Sequence, residues 1–230
     1  MNHYTYFFIL IAALAGPLLL SFDKKVHFYK KWKYVFLAMI LPALLYIIWD
    51  NWFTEQGVWS FNPEYIFNIF VYRLPLEEIL FFFIVPYCCL FIYECVRTYF
   101  PGIRCTRTAD YALGILALLL LIVAIVFRQK MYTSVTFVLN AFFIGVLLSC
   151  RSYFRNFHTT AFFISYAIIL IPLFIVNGFL TAVPVVIYND AENLGLRIYT
   201  IPVEDIFYGM LLFGMNVAIY ERVSRRKISR

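Results

Sequence analysis

RLPLEEILFFF, residues 73–83, sets two adjacent glutamates, Glu77 and Glu78, just after a proline at the mouth of a run apolar enough to cross a bilayer. Residues 201–207, IPVEDIF, repeat the device with Glu204 and Asp205. Pro75 and Pro202 stand at an offset of 127, and so do Glu77 and Glu204, Glu78 and Asp205. The same ungapped offset joins Tyr93-Glu94 to Tyr220-Glu221, Thr54 to Thr181, Asn62 to Asn189 and Tyr72 to Tyr199. That many coincidences at one offset mark an internal duplication.

The rest of the chain fixes the medium. Of its 230 residues, 63% are hydrophobic and only 14% are charged, with a mean hydropathy of +0.81. A water-soluble domain has too little polar surface left at that composition to cover itself. The chain reads as an all-α polytopic membrane protein. Seven apolar runs approach the ~20 residues that a spanning helix needs: Tyr4–Phe22, Tyr34–Asp50, Leu76–Val96, Tyr111–Phe127, Val135–Cys150, Thr160–Leu180 and Val203–Glu221. The first run has no Lys or Arg before it, and its Ala13-Leu14-Ala15 is read as part of a retained helix rather than a cleavage site.

Charge orients these spans. Fifteen of the 19 Lys and Arg residues fall in alternate connections and the C-terminal tail, whereas the opposite side holds only Arg73, Arg128, Lys130 and Arg197. The positive-inside rule then predicts seven spans, N-terminus outside and C-terminus inside; the expected location is the plasma membrane. The net charge of +6 is spread over short loops, so it reports orientation and not a nucleic-acid partner. Cys88, Cys89, Cys95, Cys105 and Cys150 lie in or beside apolar runs with no CxxC, and His3, His27 and His158 are scattered. Free thiols and no metal site are expected.

Shifting the first three spans by that same offset lands on the last three. The expected architecture is two parallel three-helix repeats, residues 1–100 and 131–230, joined by a linker helix in 101–130. Three spans reverse orientation, so one further crossing lets the second triplet enter the membrane the same way round. Segments 51–74 and 178–201 are too aromatic for solvated loops and too polar to span. They are expected to be interfacial or re-entrant caps over the outer helix ends.

Acids in a first helical turn complement the macrodipole, which accounts for one per helix but poorly for a repeated pair. Ionisable groups in spans usually face the bundle interior and serve function. Glu77, Glu78, Glu204 and Asp205 are therefore the candidate catalytic residues. Carboxylates that share a dry cavity do not all ionise, so one is expected to hold a proton and another to carry charge near a cation. Phe81, Phe82, Phe207 and Tyr208, with Trp59 and Asn62, are candidate substrate contacts, since π faces steady a cation. Asp50, Asn177, Asn189, Arg73 and Arg197 are expected to support the acids. Asn140 is read as helix-packing glue, and Glu94 and Glu221 as surface partners of Arg97 and Arg225.

GVWSFNPEY (57–65), LPLEEILFFF (74–83) and IYE (92–94), followed by IPVEDIFYGM (201–210) and a second IYE (219–221), resemble the integral-membrane lycopene cyclases. The likeness covers nearly the whole chain and matches a fused form of what also occurs as two small subunits. It implies redox-neutral conversion of the ψ end of a linear carotene, typically lycopene, to a β-ionone ring. A proton adds to the end alkene, the cation closes the ring, and a different proton leaves. It also implies a lipid-dissolved carotene substrate, no cofactor, and other carotenoid-pathway enzymes as possible partners. It carries Glu77, Glu78, Glu204 and Asp205 over as acid–base residues without assigning the donor. Two alternatives stay open: a parallel-repeat transporter of a small solute, and a carotenoid hydratase in which water captures the cation.

Overall fold

The structure, a computed structural model, describes residues 3–225. Seven helices lie over the seven apolar runs: α1 (Thr5–Leu20), α2 (Trp32–Glu55), α3 (Leu76–Tyr99), α4 (Arg107–Val126), α5 (Met131–Ser149), α6 (Thr159–Ala182) and α7 (Glu204–Arg225). Helices α2 to α6 are long and apolar enough to cross a bilayer, so the chain is a membrane protein. Helix α1 is apolar but only 16 residues long, and α7 carries Glu204 and Asp205 in its first turn. Local signals set the ends. Pro75 starts α3 from an extended conformation. The Thr106 hydroxyl and His158 Nδ1 accept the Ala109 and Ala161 amides to cap α4 and α6.

Packing follows the duplication. Helix α1 lies on α3 as α5 lies on α7, and the long contacts are exchanged, α2 against α7 and α6 against α3. Helix α4 sits outside, mainly against α5, and presents Ile115, Leu118, Ile122 and Ile125 outward. Close approach is marked by Gly214, where a Cβ would stand 2.8 Å from the Phe143 ring. Replacing Gly214 by Val is expected to destabilise the bundle by about 1–3 kcal/mol through overpacking, read as a lower midpoint in thermal unfolding of the detergent-solubilised protein.

Segments 51–74 and 178–201 are not simple re-entrant caps; they form a small β roof. Strand β1 (Trp59–Phe61) pairs antiparallel with β4 (Val186–Tyr188), aligning Trp59 with Tyr188 and Phe61 with Val186. Strands β2 (Phe70–Val71) and β3 (Leu74–Pro75) make one hairpin, and β5 (Arg197–Ile198) and β6 (Ile201–Pro202) make another. Every strand of the first repeat has its counterpart in the second at the offset of the duplication. Even the backbone strain repeats: Tyr72 and Tyr199 begin the two-residue turns at φ +62° and +58°, and Asn68 and Gly195 match at +59° and +71°. Alternation over three residues is enough to pair strands that meet, but too short to announce them beforehand.

At the opposite end Arg97 does not pair with Glu94 as expected. Glu94 and Glu221 are buried, at 8% and 2% exposure. Each takes its tyrosine from the other repeat: Tyr220 donates to Glu94 Oε1 at 2.5 Å and Tyr93 to Glu221 Oε1 at 2.6 Å. Arg97 reaches Glu221 at 2.8 Å, and Lys31 pairs with Glu94. The three-residue spacing of Glu94 and Arg97 pointed within one helix, whereas crossing α3 and α7 brings each acid nearer the other helix. The Arg225 side chain lies outside the described residues.

Candidate active site

Four helix ends and the roof converge on the acids, and the pairs divide by role. Glu78 and Asp205 line one cavity of about 50 Å³ beneath β1 and β4. Asp205 collects three side-chain donors: Tyr132 at 2.6 Å on Oδ1, and Tyr188 and Asn177 at 3.0 Å each on Oδ2. Glu78 accepts from Tyr6 at 2.6 Å on Oε2. Asp50 lines the same cavity, with its Oδ1 3.5 Å from the Tyr208 hydroxyl and its Oδ2 without a partner among the described residues. Burial, then the Asp205 charge, lift the Tyr188 phenol well above its ordinary pKa, so it faces Asp205 as a neutral donor.

Glu77 and Glu204 turn the other way. Glu77 Oε1 accepts the Phe67 amide at 2.6 Å, and Glu204 Oε1 accepts the Leu194 amide at 2.8 Å and the Thr133 hydroxyl at 2.6 Å. Phe67 and Leu194 are themselves equivalent positions of the two repeats. Both acids are fully buried, and both tie the chain that precedes each hairpin to the first turn of the helix that follows. Adjacent helix positions point about 100° apart, so one acid of each pair faces the cavity while its neighbour holds the roof.

Among the other expected residues, Trp59, Phe81 and Tyr208 line the cavity. Phe82 is buried behind it against Tyr46. Phe207 packs on Phe137 of α5, and its carbonyl accepts Asn140 Nδ2 at 3.0 Å, so Asn140 joins α5 to α7. Asn62 and Asn189 shape turns in the roof, their side chains accepting the Glu64 and Ala191 amides at 3.0 Å. Asn177 reaches Asp205, but Asp50 does not hydrogen-bond Glu78. The arginines are elsewhere. Arg73 is exposed, and Arg197 pairs with Asp190 at 2.5 Å on the surface, holding that carboxyl below the usual range. Among the described residues no ion pair reaches Glu77, Glu78, Glu204 or Asp205.

Sequence reasoning missed Tyr6, Tyr132, Thr133 and Tyr188. A signal existed for the first three. Thr5-Tyr6 and Tyr132-Thr133 are equivalent dipeptides in transposed order, hydroxyls at the start of otherwise apolar helices. Tyr188 replaces the equivalent Phe61, so the second repeat gains a donor that the first lacks.

The small cavity adjoins a larger apolar groove of about 680 Å³ between α1, α3, α6 and α7, and Phe81, Asn177, Asp205 and Tyr208 border both. Along α3 the groove runs from Phe81 to Ile92, about 17 Å at 1.5 Å per residue. The arrangement is an acid cluster with neutral donors at the head of a greasy trough.

A family model described as Lycopene cyclase matches residues 3–96 and 129–223, leaving out the stretch that contains α4. No curated protein and no solved structure matches the chain.

Proposed function

The chain belongs to the lycopene cyclase family, and on that premise we propose that this carotenoid cyclase is a lycopene β-cyclase, closing the ψ end of lycopene to a β-ionone ring without net redox. One observation carries the reading: Glu78 and Asp205 share a single cavity, and Asp205 also borders the adjoining apolar groove.

Glu78, with one donor on its carboxyl, acts as the acid that gives a proton to the terminal alkene. The resulting tertiary cation is attacked by the neighbouring internal alkene. A carbon–carbon bond closes the six-membered ring, and the charge moves to a ring carbon. Asp205, with three donors supporting its charge, steadies the cation and takes the ring proton that leaves. One proton enters and another departs, so atoms and electrons balance as an isomerisation. Trp59, Phe81 and Tyr208 present π faces to the cation, and the apolar trough keeps water from capturing it. Glu77 and Glu204 act through the roof as positioning residues.

The architecture we propose around this site is seven spans, N-terminus outside and C-terminus inside, in the plasma membrane. Its two three-helix repeats, residues 1–100 and 131–230, are joined by the linker in 101–130. The exchanged helix contacts and the strand register at offset 127 support that division. Enzymes that supply or consume so apolar a substrate work from the same bilayer.

The test is pigment analysis of a lycopene-accumulating bacterial host that expresses the chain. Appearance of γ- or β-carotene is expected; unchanged lycopene with correctly inserted protein overturns the reading. In the same host Glu78→Gln is expected to slow ring formation about 100-fold, the scale of a lost general acid.

A further inference from the structure

The duplication gives the molecule two equivalent places for a groove, and among the described residues only one is open. The open groove has Leu173 and Val176 on α6 and Gly209 on α7 in its wall. Their counterparts in the first repeat are Tyr46, Trp49 and Phe82. These three fill the matching space between α2, α3 and α7. Tyr46 packs on Trp49 and Phe82 with ring centroids 5.1 and 5.6 Å apart, and both Tyr46 and Trp49 abut Tyr208, at 4.8 and 4.9 Å. The Tyr46 hydroxyl donates to the Tyr208 carbonyl at 2.9 Å, fixing the plug to α7. None of the three exceeds 8% exposure. The neighbouring helix repeats the contrast: Ala12 and Ala13 of α1 border the open groove, and their counterparts in α5 are Leu139 and Asn140.

Resting on the cyclase reading, we infer that the groove between α1 and α6 is the single polyene channel. Tyr46, Trp49 and Phe82 close its twin, and the duplicated acids Glu78 and Asp205 therefore serve one end group together, not one each. The occupant is one half of a linear C40 polyene. The trough shares Phe81, Asn177, Asp205 and Tyr208 with the acid cavity, is almost wholly apolar, and at about 17 Å covers roughly half of a ~30 Å hydrocarbon core. The other half of the substrate extends into lipid. Gly209 and Val176 are thus specificity-determining residues: side chains like those of the plug at these two positions would block the trough, whereas a Cβ alone at Gly209 would stand 2.9 Å from the terminal Cδ1 of Leu173, which can turn aside, and in ordinary contact with the Tyr166 hydroxyl at 3.5 Å.

The experiment counts polyenes on full-length protein purified in detergent, in a Glu78→Gln background that suppresses turnover. Lycopene has no chirality of its own, so its induced circular dichroism, with absorbance, reports ordered binding per chain. One polyene per chain is expected. Gly209→Phe and, separately, Val176→Trp are expected to weaken binding at least tenfold, and Gly209→Ala less than twofold, all with an unchanged gel-filtration profile. Two polyenes per chain, full binding by both blocked variants, or a groove filled by phospholipid acyl chain in place of lycopene would each overturn the inference. Failure of the cyclase reading is distinct, because it appears as absence of ring products from the unaltered chain.

Discussion

Asp205→Asn is expected to lower turnover about 10³-fold while leaving the fold intact, within the range for a lost acid–base group. The amide is nearly isosteric, so Tyr132, Tyr188 and Asn177 keep a neighbour at 2.6–3.0 Å. It can neither take a ring proton nor oppose a cation. Glu204→Gln provides the contrast. Its amide oxygen can still accept from Leu194 and Thr133, so most activity should survive. Glu204→Ala leaves those donors unmatched, at about 1–3 kcal/mol each when buried. Initial rates on lycopene in liposomes, beside thermal midpoints, separate the two. Asp205→Asn within tenfold of the parent rate would remove it from the chemistry.

The second large effect is expected far from the acids. Arg97→Met should destabilise the protein by about 3 kcal/mol, because it removes an arginine that pairs with buried Glu221. The Glu221 side chain is only 3% exposed, and Arg97 is 20% exposed, so solvent replaces little of the lost pairing. Tyr93 still donates to Glu221, which places the effect at the lower end for a broken buried pair. Thermal unfolding with Glu221→Gln and the double variant completes a cycle. Additive losses would mean that the two side chains do not interact.

Helices were the easiest features to read, since little besides a bilayer calls for apolar runs of spanning length. The acids were equally visible because carboxylates at such places are rare. What each acid does was not. Glu77 and Glu78 differ by one position, and only the approach of Phe67 to one and Tyr6 to the other distinguishes them. Roof strands of two and three residues are too short for a periodic signal. The partners of Glu94 and Glu221 depend on how α3 crosses α7, and a spacing rule written for single helices chose Arg97 for the wrong acid. Tyr6, Tyr132 and Tyr188 escaped notice for a simpler reason: in a chain with 18 tyrosines, these three look like the remainder.

Strand β1 is completed by β4, and at the far end each glutamate borrows its tyrosine from the opposite repeat. Fastened above and below in this way, the twin halves stay in step where they meet and are free to drift apart in between. That freedom has been used. Where one half carries bulky rings the other carries glycine and valine, so an ancestral symmetry has been spent on making a wall from one copy and a doorway from the other.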